Sequence, residues 1–275
     1  PTSMTKLCML SVMRAAALAG ESIPKLCATD NMAAFGSCRL CLVEVEGQAK
    51  LVASCLTTVE EGMKVHTNTE ELRRNRKLLV ELLFAERNHV CAVCVANGAC
   101  ELQDLAVSMG LHHVRFEPQA PQLPIDASHP RWILDHNRCV LCTRCTRFCD
   151  QISGDRFLDL FERGADQQVG IAAGEDLRSP FSGNTVQICP VGALTSTPYR
   201  FAARPFDLQV GDSICPHCAA GCNLRVDLRL DTAVGADRQH VLTQLDGALD
   251  LPLDGEVFAA GQFTLDDHRL ADVHD

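Results

Sequence analysis

Cys139-x2-Cys142-x2-Cys145 is followed, after a gap of 43 residues, by Cys189 and then directly by Pro190. Three cysteines at that spacing can curl around one cubane, and a remote Cys-Pro can close it; this is how thiolates are supplied to a 4Fe–4S cluster. A second group reads His89-x-Cys91-x2-Cys94-x5-Cys100. One imidazole and three thiolates can ligate another 4Fe–4S cluster, and a neutral nitrogen in place of a thiolate leaves the site less negative and easier to reduce. A zinc knuckle would use the same four donors. A third group, Cys27, Cys38, Cys41 and Cys55, is spaced C-x10-C-x2-C-x13-C, and four thiolates are what a 2Fe–2S cluster needs. Zinc is the competing metal here too, but zinc sites usually present two tight Cys-x2–4-Cys knuckles and this group has one, which favours iron.

The rest of the composition agrees with metal ligation. The chain has 275 residues, enough for two or more small domains, and its 16 cysteines fall into Cys-x2-Cys groups beside His. That pattern reads as metal binding in a reducing compartment rather than as a disulfide framework. Aromatic residues are only 5% of the chain, so clusters that staple distant points would take over part of the packing. Net charge is −10, and residues 231–275, with ten acids against two basic residues, carry eight of those charges. An acidic chain is a poor binder of phosphate backbones, so nucleic acid is not expected as a partner. No run of 18 apolar residues is present, so no membrane span is expected, and no signal peptide is read at the N-terminus. No G-x-G-x-x-G, P-loop or flavin site is found.

The elements that must position these donors are short. Residues 11–19 can form a helix ended by Gly20 and Pro24. Residues 42–46 alternate apolar and acidic, as a half-buried strand does, with a turn at Gly47-Gln48 and a returning strand at 51–53. A helix is expected over 67–87, opened by a Thr67-x-x-Glu70 capping box; Leu72, Leu79, Leu82 and Leu83 form its apolar face, and Arg73, Arg74, Arg76 and Lys77 a solvated basic face or a docking surface for an acidic partner. Residues 113–134 hold four prolines and read as a stiff connector outside helix or sheet, with His112, His113 and His129 as ordinary surface or packing residues. Cys149 stands outside the donor sets and reads as a buried free thiol.

Ile23-Pro24-Lys25-Leu26-Cys27, Ser37-Cys38-Arg39-Leu40-Cys41-Leu42-Val43-Glu44-Val45 and Ala53-Ser54-Cys55 resemble the 2Fe–2S domain that opens the large iron–sulfur subunit of complex I, the diaphorase small subunit of NAD-reducing nickel–iron hydrogenases, and some NAD-linked formate dehydrogenases. The second group resembles that family's site with one histidine and three cysteines; the complex I spacing would place the histidine at Arg87, whereas the Asn88-His89-x-Cys91 form looks more like the hydrogenase subunits. Cys139 to Cys145 and Cys189-Pro190-Val191-Gly192-Ala193-Leu194 are similar to the two halves of a bacterial ferredoxin motif, reduced to one cluster as in complex I. Cys215, Cys218 and Cys222 match a further 4Fe–4S motif of the family, but Phe258 stands near where its fourth cysteine would fall. A non-cysteine ligand (His217, His240 or an Asp), recruitment of Cys149, a three-iron form, zinc and an empty site all stay open there.

The resemblance implies an α+β chain: a β-grasp 2Fe–2S ferredoxin-like domain over 1–66, a helical 4Fe–4S domain over 67–112, the connector over 113–134, a bacterial-ferredoxin-like 4Fe–4S domain over 135–200, and an irregular, acidic C-terminal extension over 201–275. It implies one 2Fe–2S cluster, two 4Fe–4S clusters and room for a further one. The expected function is an electron relay between a flavin/NAD-binding diaphorase subunit and a catalytic subunit, on the cytoplasmic side, with no catalytic centre and no NAD or flavin site on this chain. An NAD-reducing hydrogenase is the first expectation, complex I or formate dehydrogenase the alternative, and a zinc-stapled scaffold without redox role the alternative of another class.

Overall fold

The computed structural model describes residues 10–117, 119, 122–129, 131–171, 182–197, 199–214, 223–230 and 239–244. Ser11 caps helix α1 (Val12–Leu18) by accepting from Arg14 N. Strand β1 (Leu42–Val45) buries its alternate residues Val43 and Val45, as the apolar–acidic alternation predicts. It pairs antiparallel with β2 (Val52–Ala53) across a turn in which Gly47 takes φ +84°, and on its other side with β3 (Val65–His66), which the sequence pattern does not announce. Val12, Ile23, Val43, Val45 and Ala53 close a small core between α1 and this sheet.

Helix α2 (Glu70–Glu86) starts later than the predicted capping box: Thr69, not Thr67, is the N-cap, its hydroxyl accepting from Leu72 N at 3.3 Å while it donates to the Glu44 carboxylate of β1. That bond ties the helix entrance to the first sheet. The predicted basic face holds for Arg73, Arg74 and Lys77, which are exposed, and is corrected at Arg76. Arg76 is buried and donates to the carbonyls of Leu40 (3.0 Å) and Leu42 (2.7 Å), so it belongs to the packed side. Lys77 reaches the Gly110 carbonyl at 2.7 Å.

Helix α3 (Glu101–Ser108) follows the second donor group. The connector is not free of sheet, contrary to expectation: β4 (Ile125–Asp126) and β5 (Trp132–Asp135) lie within or across its end, because only short runs between its prolines need donate backbone bonds. Next come α4 (Arg144–Phe148), a π-turn (Cys149–Ser153), the hairpin β6 (Asp159–Phe161) and β7 (Gln168–Gly170), α5 (Ser182–Ile188) and β8 (Leu194–Ser196). Strand β5 sits between β4 and β8, all antiparallel, which brings the segment after Cys189 back beside the segment before Cys139. The extension read as irregular contains an antiparallel sheet of β9 (Leu208–Ile214), β10 (Asn223–Leu230) and β11 (Gln239–Gln244).

The main core crosses the expected divisions. Leu26, Cys27 and Leu40 from the first donor loop pack in one cluster with Val80 of α2, Leu102 of α3, Trp132 and Leu134 of β5, and Cys142, Cys145 and Phe148 around α4. His129 stacks on Trp132 with ring centroids 4.7 Å apart, the packing role expected of it.

Candidate metal centres

The tight cysteine loops of the first and third donor sets bend in the same unusual way. Among the non-glycine residues with positive φ are Arg39 (58°), between Cys38 and Cys41; Leu141 (51°), between Cys139 and Cys142; and Thr143 (57°), between Cys142 and Cys145. A left-handed residue costs on the order of 1–3 kcal/mol and persists where surrounding structure demands it. What it gives in return is a concave row of backbone N–H groups, the kind of nest that holds anionic iron–sulfur centres. Backbone N–H groups indeed meet the sulfurs: Leu40 at Cys38, Leu141 at Cys139, Arg144 at Cys142, and Val191, Ala193 and Leu194 at Cys189.

The first donor set converges. Cys27 N donates to Cys38 Sγ at 3.4 Å, and Cys41 Sγ lies 3.4 Å from Cys55 Sγ. Within each sulfur pair one proton is easily lost and the other held: hydrogen bonding from Cys38 pulls Cys27 down to about 4 and that from Cys55 pulls Cys41 down to about 6, while Cys38 and Cys55 are pushed up. A bound cation would supply what is needed to release the second proton of each pair. Gly36 takes φ +71°, a left-handed backbone that favours glycine.

The second set lines one open cavity whose walls include His89, Cys91, Cys94 and Cys100. His89 is set by α2: its ring packs edge-on to Phe84, centroids 5.4 Å apart, and it hydrogen-bonds the Leu83 backbone. Its Nε2 is buried with no hydrogen-bond partner. Burial, helped by the Arg138 charge, pushes the imidazole down to about 4, so the ring is neutral at pH 7. A buried polar atom without a partner calls for an explanation, and a neutral imidazole with one nitrogen anchored and the other free is the form that binds metal. The residues present therefore fit a metal cluster.

The third set comes from the left-handed loop before α4 and from the end of α5. Cys142 and Cys145 are buried. Burial pushes Cys139 and Cys142 up to about 12 and Cys145 and Cys189 also up, and the sulfurs of Cys139, Cys142 and Cys145 are raised further by their neighbours in the set, as donors facing a common centre are. Neutral buried thiols become ligands when the incoming metal displaces their protons, which leave to solvent. Cys149 is fully buried in the π-turn and forms no disulfide. Cys215, Cys218 and Cys222 lie outside the described residues, as does His217. Among the described residues, no three His, Cys, Asp or Glu side chains gather around a single ion-sized point; a cubane holds its thiolates at separate corners instead.

Neighbouring sets are locked together by groups that motif spacing does not reveal. Gly192, three residues after Cys189, packs so closely on the second loop that a Cβ would stand 2.5 Å from Cys94 Sγ. Glu101 N donates to the Pro190 carbonyl at 2.9 Å, and Arg144 makes a two-pronged ion pair with the Glu101 carboxylate, both contacts at 2.6 Å. Arg204 donates to the Cys94 carbonyl. Arginines between cysteines carry no spacing signal, so only three-dimensional placement brings them out.

Three family models match successive parts of the chain: a 2Fe–2S iron–sulfur cluster binding domain over residues 10–70, an NADH-ubiquinone oxidoreductase-G iron–sulfur binding region over 76–115, and the ferredoxin-like domain of NADH-quinone oxidoreductase subunit 3 over 130–195. The NAD+-reducing [NiFe]-hydrogenase, in a crystal structure of its H2-reduced state, contains a chain that is 39% identical, with a TM-score of 0.65, covering 70% of this chain and 83% of that one. This chain belongs to the same iron–sulfur subunit family. An NADH-quinone oxidoreductase subunit from Mycobacterium tuberculosis is 50% identical over 222 residues, 79% of this chain and 27% of the relative. The mitochondrial NADH-ubiquinone oxidoreductase 78 kDa subunit of Candida albicans is 39% identical over 238 residues, 86% of this chain and 32% of the relative. The chain thus spans about a quarter to a third of the length of these curated family members. The family carries both 2Fe–2S and 4Fe–4S binding domains, as the donor spacings predict. Among the described residues no helix is long and apolar enough to cross a membrane.

Proposed function

We propose that this chain is an electron-relay subunit of an NAD-linked oxidoreductase complex, carrying one 2Fe–2S and two 4Fe–4S clusters. Cys27, Cys38, Cys41 and Cys55 hold the first; His89, Cys91, Cys94 and Cys100 the second; Cys139, Cys142, Cys145 and Cys189 the third. Bound clusters supply one-electron carriers; the chain's own part is to space, bury and tune them. The observation that carries this reading is the orphaned, buried Nε2 of His89 in a cavity lined by three cysteines. The shared core supports it further, because a relay needs its carriers held at fixed separation and the donor loops pack into one another.

The partners on this reading are a flavin/NAD-binding subunit and a catalytic subunit, and the complex faces the cytoplasm. Two terminal substrates have specific support. The 50% identity with an NADH-quinone oxidoreductase subunit favours quinone. The coverage of 83% of a hydrogenase chain, beside the short His89-x-Cys91 spacing, favours hydrogen. Identifying the proteins that co-purify decides between them. The relay itself is tested by anaerobic isolation: brown colour, acid-labile sulfide and reduced-state EPR signals of both cluster types are expected. Colourless protein containing zinc and no sulfide would replace the relay by a zinc-stapled scaffold.

A further inference from the structure

Arg147 is a guanidinium that touches two donor sets at once. It sits in α4, two residues after Cys145, and is 9% exposed. Its Nη2 donates to the carbonyl oxygen of Cys27 and, at 3.2 Å, to that of Cys142; Nη1 donates to Ala33 O at 2.7 Å and Nε to Thr143 Oγ1 at 3.1 Å. Every one of these acceptors is a neutral oxygen. Arg144, one turn away, has the Glu101 carboxylate as counter-charge, whereas among the described residues Arg147 forms no ion pair. A buried charge without a counter-charge is strongly unfavourable. Its contacts to the Cys27 and Cys142 carbonyls place it between the two donor sets, where the thiolates of Cys27, Cys142 and Cys145, once they hold a cluster, would be its counter-charges.

We infer that Arg147 is the shared counter-charge of the 2Fe–2S centre and the Cys139/Cys142/Cys145/Cys189 centre, a positioning residue that raises both reduction potentials together. This rests on the ligand sets proposed above. A cluster held by four thiolates is negative in both redox states and more so when reduced, so a fixed cation stabilises the reduced form preferentially. Charge and hydrogen bonding around a cluster are among the levers that set its potential. Here one side chain works the charge lever on two centres, held there by its hydrogen bonds to the Cys27 and Cys142 carbonyls, while the His89 centre has Arg138 beside it instead.

The test is an EPR-monitored redox titration of the anaerobically isolated, cluster-loaded protein. In Arg147→Gln the reduced-to-oxidised ratio at fixed poise should fall about tenfold, about 59 mV for a one-electron couple, at both named centres, and by less than about threefold at the His89 centre. Arg147→Lys, which keeps the charge, should bring both centres back to within about threefold of wild type. A fall at one centre alone, an equal fall at all three, or a Lys variant that behaves like Gln overturns the inference. Should the Gln variant lose iron, Phe35→Glu provides a second reading. Phe35 is 48% exposed, with its ring centroid 5.9 Å from the guanidinium carbon, so a carboxylate there offsets the charge and leaves its hydrogen bonds in place. Both potentials should again fall together, and an unchanged pair overturns the inference. Iron, sulfide and EPR signals of the wild type test the ligand sets separately: if they are lacking, that reading fails before any variant is compared.

Discussion

Burial takes the His89 ring out of water and the Leu83 backbone holds one of its nitrogens, which leaves the other facing three cysteines. His89→Ala should therefore remove or reshape one reduced-state EPR signal and spare the others; a variant with every signal unchanged would count against the ligand assignment. His89→Cys should restore the signal at a lower potential, because a fourth thiolate adds negative charge. Gly192 makes a second prediction at this scale. A methyl group at 192 meets Cys94 Sγ at 2.5 Å, so Gly192→Ala should cost about 1–3 kcal/mol in urea unfolding through overpacking. It should also lower iron content at the His89 centre more than elsewhere.

Two side chains of α2 hold the centres from outside. Arg76 bridges the Leu40 and Leu42 carbonyls on either side of Cys41. Arg76→Met takes this donor from the buried Leu40 carbonyl and the part-buried Leu42 carbonyl, at up to about 1–3 kcal/mol each, and should destabilise the 2Fe–2S domain by roughly 2–6 kcal/mol in denaturant unfolding. Glu81, 1% exposed, accepts from Arg115 N (2.6 Å), Nε and Nη2, which pins the connector onto the helix and holds the carboxyl down to about 2 against an ordinary 4.5. A carboxyl depressed by folding stabilises the folded state above its unfolded pKa and loses that contribution as pH falls towards its folded one. The gap in urea midpoint between wild type and Glu81→Gln should accordingly be full at pH 6 and narrow between about 4.5 and about 2. A constant gap across that window would sink the assignment. These elements also show what could be read beforehand. The donor sets, α1, β1 and the Gly47 turn were legible because they depend on local spacing and alternation. Arg76, by contrast, stands in a run of basic residues that reads as surface, and only the arrival of β1 converts it into a buried group. Strands β4 and β5 were hidden because proline density masks the short runs between, and β3 because two residues carry no periodicity.

At the scale of the molecule, the first donor loop shares its core with the third, and the third is clasped to the second through Arg144, Glu101 and Gly192. Metal binding and folding are then one equilibrium, since each set links points far apart in the chain. Iron chelation under anaerobic, reducing conditions should lower the midpoint of thermal unfolding monitored by circular dichroism over the whole chain, not over one segment. Equal midpoints with and without iron would mean that the core stands without its metals.

The clasp formed by Arg144, Glu101 and Gly192 also bears on biogenesis. Cys189 reaches its place only when the long excursion after Cys149 has returned through α5 to β8, and the same return seats Gly192 against Cys94. On the proposed ligand sets, two cubanes would therefore be sealed by a single closure, and a scaffold delivering iron would have one window in which to load both. Cells starved of iron should accumulate filled and empty polypeptides with few half-filled ones, a distribution that native mass spectrometry resolves; a dominant singly loaded species would show that the two cavities mature independently.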